Sequence, residues 1–92
     1  MDYSKLQKVC LSVILKYGTE PQLRQLQEEC NELAVAVSHY VRERQGARDE
    51  MIEELADVYI CIKQAISILQ CCKEFHDAVD SKINRLDDRI SR

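Results

Sequence analysis

Glycine occurs at only two positions, Gly18 and Gly46, and proline only at Pro21, in a chain of 92 residues. So few breakers leave room for long helices and little for the many turns that a small β fold needs. The stretches between the breaks are built on Leu, Gln, Glu, Lys, Arg and Ala, all good helix formers. Apolar residues recur at spacings of three and four, the stripe of an amphipathic helix. The pattern predicts four helices. The first covers about Asp2–Tyr17, with Leu6, Val9, Val13, Ile14 and Tyr17 on one face. The second covers about Pro21–Arg44, with Leu23, Leu26, Cys30, Leu33, Val37 and Tyr40. The third covers about Asp49–Gln70, with Met51, Leu55, Val58, Tyr59, Ile62, Ile66 and Leu69. The fourth covers about Glu74–Ile90, with Phe75, Val79, Ile83, Leu86 and Ile90. No segment alternates with period two, so no strand is expected. At the first break Gly18 can end a helix, Thr19 can cap the next and Pro21 suits its first turn. Gly46 marks the second break. Near Cys71–Lys73 nothing in the sequence forces a stop. Short connections favour antiparallel neighbours.

A chain of this length makes one domain, residues 1–92. It buries only about 60–65% of the surface its unfolded form exposes, so its core is thin and a second copy would help to complete it. The net charge of −3 argues against a general nucleic-acid binder. Cys10, Cys30, Cys61, Cys71 and Cys72 are odd in number and show no C-x-x-C spacing, which argues against a zinc site. They read as reduced, mostly buried thiols. The longest apolar runs, Leu33–Val37 and Val58–Ile62, fall far short of the roughly 20 residues that span a membrane. Met1-Asp2-Tyr3-Ser4 does not begin a leader, and a cytoplasmic location is the expectation.

Carboxylates carry the chemistry. Helix two contains Glu28-Glu29-Cys30-Asn31-Glu32, and helix three contains Glu53-Glu54-Leu55-Ala56-Asp57. On a wheel of about 100° per residue, Glu29 and Glu32 lie about 60° apart on the flank of the apolar stripe. Gln25, Ala36 and His39 share that flank. Glu54 and Asp57 form the matching pair on helix three, with Glu50, Cys61 and Ala65 on the same strip. Like charges at a half-buried edge repel, and both lose water. A cation between them removes both costs. Oxygen-only ligands suit Mg²⁺, with Mn²⁺ as the alternative. The competing reading is a solvated acidic face, common on Glu-rich helices.

Helix four adds cations. Lys82, Arg85, Arg89 and Arg92 fall within about 80° of one another, beside the apolar stripe. A basic strip next to a metal-loaded acidic site suits a magnesium–polyphosphate ligand. Alternatively it complements the helix dipole. His39 and His76 are not spaced as a ligand pair and read as surface or packing residues. No Gly-rich phosphate loop and no nucleophile relay is present. A carboxylate-bridged di-iron site needs Glu-x-x-His on two helices, whereas Glu32 and Asp57 stand at those positions.

At these residues the chain resembles the MazG-like, all-alpha nucleoside triphosphate pyrophosphohydrolases. Their hallmark of E-E-x-x-E on one helix and E-x-x-D on the next is matched by Glu28-Glu29-x-x-Glu32 and Glu54-x-x-Asp57. The words Gln25-Leu26-Gln27-Glu28-Glu29, Glu53-Glu54-Leu55-Ala56-Asp57-Val58 and Lys82-Ile83-Asn84-Arg85-Leu86 also look like the family. The resemblance implies a four-helix MazG-like bundle completed by oligomerisation. It implies hydrolysis of a nucleoside triphosphate to monophosphate and pyrophosphate by a metal-activated water. Glu29, Glu32, Glu54 and Asp57 would hold Mg²⁺, with Glu28 and Glu29 in the catalytic role. Lys82, Arg85 and Arg89 would grip phosphates. Neither nucleic acid nor membrane is implied as a partner. The contrasting class is a non-catalytic helical regulatory module that folds alike without turnover.

Overall fold

Asp2 opens the first helix by accepting a 3.0 Å hydrogen bond from the Lys5 backbone N–H, satisfying one of the free donors of the first turn. A computed structural model describes residues 1–92 as four helices and no strand: α1 (Tyr3–Tyr17), α2 (Thr19–Val41), α3 (Ala47–Leu69) and α4 (Cys72–Ile90). All four expected helices form, with ends shifted by a few residues. The break between α1 and α2 is Gly18 alone, at φ 96° and ψ 163°. That region is essentially closed to residues with a Cβ. Pro21 falls in the first turn of α2 as expected. Thr19 does not cap, because α2 begins at Thr19 itself and no side chain caps its N-terminus.

The second helix ends at Val41, short of the expected Arg44. Glu43 at φ 59° and Gly46 at φ 77° turn the chain between Val41 and Ala47, so Arg42–Arg44 lie in the hairpin and not in the helix. The unforced stop after α3 is made by Gln70, in left-handed backbone at φ 51° and ψ 45°. Its N–H donates to the Ile66 and Ser67 carbonyls, and α4 begins two residues later at Cys72.

The α2–α3 hairpin is the body of the fold, and α1 packs on both arms. Cys10, Ala36, Ala47, Val58 and Cys61 are the buried apolar residues. Gln64 is also buried and its Oε1 accepts a 2.8 Å hydrogen bond from Gln22 Nε2, tying α3 to α2. Burial pushes the Cys10 thiol up in pKa, against the opposing effects of Lys63 and Gln64. The expectation of mostly buried cysteines is corrected: Cys30 and Cys72 are exposed and Cys71 is half-buried. Tyr59 and Leu55, expected in the core, are also exposed, because nothing in the chain covers their side of α3.

The fourth helix departs from an antiparallel bundle. It touches α3 alone, and all of its residues are exposed. Its apolar stripe from Phe75 through Val79, Ile83 and Leu86 to Ile90 lies open. A globular chain of this mass has an accessible surface of about 5,500 Å² and a radius of gyration of about 12 Å. The observed values are 7432 Å² and 15.7 Å. A single chain therefore leaves its stripes unpartnered. No helix is long and apolar enough to cross a membrane.

Candidate metal centre

Glu29 on α2 and Glu54 and Asp57 on α3 face one another across the hairpin. One carboxylate oxygen from each lies within 4.8 Å of the others. Helical spacing explains the α3 pair, since residues three apart are surface neighbours. Packing of α2 against α3 supplies the third. Gln25, one turn before Glu29, donates from Nε2 to Glu29 Oε1 at 2.8 Å. Glu29 Oε2 and Glu54 Oε2 are both buried and have no hydrogen-bond partner. Buried polar atoms are normally satisfied, and two unsatisfied carboxylate oxygens beside each other call for a cation. The donor set is all oxygen, and it fits a hard divalent ion.

Electrostatics point the same way. Loss of water pushes the Glu54 carboxyl above its usual range. The negative charges of Glu32, Glu29 and Asp57, and a hydrogen bond that a protonated Glu54 would share with Glu29, act in the same direction. Behind the group, burial and then the charges of Glu29 and Asp57 push the Cys61 thiol up in pKa. It is therefore an inert wall and not a nucleophile.

Glu32 stands beside the three. It lines a depression with Asn31, Val35, Glu50 and Glu54, and its charge acts on Glu54 more strongly than those of Glu29 and Asp57. The expected quartet is thus a close trio with Glu32 adjoining Glu54. Glu28 is not brought into the group. It is exposed and lines a different hollow with Arg24, Leu26, Gln27, Cys30 and Asn31. Lys82, Arg85 and Arg89 are also apart. They are exposed on α4, form no ion pair and line no part of the acidic depression. A larger hollow under the hairpin turn, with Tyr40, Arg44 and Arg48 among its walls, includes none of the acidic trio.

One contact was not anticipated. His39 Nδ1 lies 2.9 and 3.2 Å from the two carboxylate oxygens of Glu50. The signal was present on the helical wheel. His39 shares the flank of Glu29 and Glu32, and Glu50 sits one turn before Glu54. Only the pairing of the two helices joins them.

A helical hairpin whose arms bring carboxylates together defines an all-helical protein with a candidate divalent-cation centre. The family model of the MazG nucleotide pyrophosphohydrolase domain matches residues 17–90, so the chain belongs to the MazG family, a family of hydrolases. The match takes in α2, α3 and α4, and with them every residue discussed for the site. No curated protein and no solved structure gives a significant match.

Proposed function

We propose that this MazG chain is a Mg²⁺-dependent nucleoside triphosphate pyrophosphohydrolase, releasing a nucleoside monophosphate and pyrophosphate. The observation that carries the reading is the pair of buried, unpartnered oxygens of Glu29 and Glu54 within a three-carboxylate group. Glu29, Glu32, Glu54 and Asp57 would hold the ion, with Mn²⁺ as a substitute. When bound, the ion would make a water acidic enough to attack a phosphorus and would offset the charge that develops there. Glu29 keeps one oxygen fixed by Gln25, which orients the other towards the hairpin interface. Glu28, on the solvent side, is left to support the attacking water or a second ion.

The phosphate grip comes from a second copy of the chain. Lys82, Arg85 and Arg89 ride on an α4 that leaves its own hairpin, beside an open apolar stripe. The chain exposes about 1,900 Å² more than a compact monomer of its mass. A standard interface takes about 800 Å² from each partner. A homodimer or larger assembly that buries the stripes would carry the basic strip with it. Five free cysteines suit a reducing, cytoplasmic setting.

The test is a panel of ribo- and deoxyribonucleoside triphosphates, with and without Mg²⁺, with products identified. Pyrophosphate release that needs Mg²⁺ and disappears in Asp57→Ala supports the reading. Nucleotide and metal binding with no release from any substrate would instead make the chain a regulatory module.

A further inference from the structure

The acidic strip of the hairpin does not end at the four motif carboxylates. Glu50, in the first turn of α3, lines the same depression as Glu32 and Glu54. Its carboxylate is held from across the hairpin by His39 near the end of α2, at 2.9 and 3.2 Å. The side chains are 26% exposed for His39 and 42% for Glu50, so the pair sits at the rim and not out in solvent. The other three ion pairs, Arg24–Glu20, Arg48–Asp49 and Lys73–Asp77, join near neighbours in sequence on exposed surfaces. His39–Glu50 is the one that spans the two metal-site helices. At the other end of the same interface Gln22 bonds the buried Gln64. The repelling acids are thus bracketed by two cross-hairpin bonds.

We propose that Glu50, oriented by His39, is a positioning residue of the metal centre. It accepts hydrogen bonds from the waters that complete the cation's coordination, and does not bind the cation itself. Magnesium keeps several waters when protein carboxylates hold it. Such waters need acceptors, and a carboxylate one turn from Glu54 in a shared depression supplies one. A carboxylate free to swing would lose that orientation, and the Nδ1–H of His39 fixes it. Partners of this outer kind set affinity and activity without touching the metal. The inference rests on the proposed metal site and extends it to two residues outside the family motif.

Calorimetric Mn²⁺ titration of the full chain tests it without relying on turnover. Glu50→Ala should weaken Mn²⁺ binding by about 10- to 100-fold. His39→Leu should fall in the same range, and His39→Gln, which can still donate an N–H, should recover most of the loss. Because His39 acts through Glu50, adding His39→Leu to Glu50→Ala should cost no further affinity. Circular dichroism and melting curves of each variant separate a lost clamp from a lost fold. If Glu50→Ala and His39→Leu bind Mn²⁺ within twofold of the wild type, the inference is overturned, even where their melting points drop. If the two losses add in the double variant, His39 does not act through Glu50 and the inference is equally overturned. Wild-type nucleotide turnover is the separate control. Mn²⁺ binding that responds to the variants in a chain without turnover sinks the hydrolase reading and leaves this one standing.

Discussion

Glu54 is a carboxylate whose titration the fold displaces. Burial and three neighbouring acids hold its pKa above the ordinary value. The folded, metal-free chain therefore binds more protons than the unfolded chain between the two values. Stability follows the difference in bound protons, so it falls as pH rises from the usual carboxylate range through the raised pKa of Glu54. Glu54→Gln removes the charge while keeping the shape. We expect the metal-free variant to melt above the wild type at neutral pH, with the gap closing on acidification. Saturating Mg²⁺ should stabilise the wild type and not the variant. Thermal melts at several pH values, with chelator and with Mg²⁺, would show it. A variant that melts lower at neutral pH in chelator would mean that Glu54 is satisfied without a cation.

At the scale of elements, the helix ends expose where sequence and structure part. Gln70 stops α3 in left-handed backbone, where a residue with a Cβ pays about 1–2 kcal/mol. Gln70→Gly should relieve that cost, offset in part by the greater freedom of glycine in the unfolded chain. A net gain of up to about 1 kcal/mol is expected from urea unfolding. A loss would mean that the Gln70 side chain holds the α3–α4 corner. The existence, order and stripes of the four helices were legible because a spacing of three and four survives whatever the helix packs against. The stop at Gln70 was not, since no glycine or proline marks it. Nor was the early end of α2 at Val41, because Arg42-Glu43-Arg44 holds no breaker and the turn rests on Glu43 at positive φ. The candidate site divides in the same way. Spacing placed Glu29 beside Glu32 and Glu54 beside Asp57. The convergence of Glu29 with Glu54 and Asp57, and the His39–Glu50 bond, depend on how α2 docks on α3, which no local pattern encodes.

Over the whole molecule, a single chain leaves large apolar faces in solvent. The apolar stripe of α4 and the faces around Leu55 and Tyr59 are open, and the basic strip lies away from the acids. Both facts have one solution if α4 of one copy reaches the hairpin of another. Light scattering should then find a dimer or larger assembly at micromolar concentration. Arg85→Ala should lower the specificity constant by about ten- to a hundredfold, the worth of a charge-assisted phosphate contact. Mixing Asp57→Ala with Arg85→Ala subunits should restore turnover, to about a quarter of wild type for a two-fold dimer assembled at random. No restoration would place the basic residues and the acids of each site on one chain. Following nucleoside triphosphates with wild-type protein by ³¹P NMR tests the proposal that the hairpin carboxylates serve cation-dependent cleavage of a nucleotide. Mg²⁺ should bring up monophosphate and pyrophosphate resonances together, chelator should abolish both, and Asp57→Ala should show neither. Turnover that persists in chelator or in Asp57→Ala, or cleavage to diphosphate and orthophosphate, would contradict it.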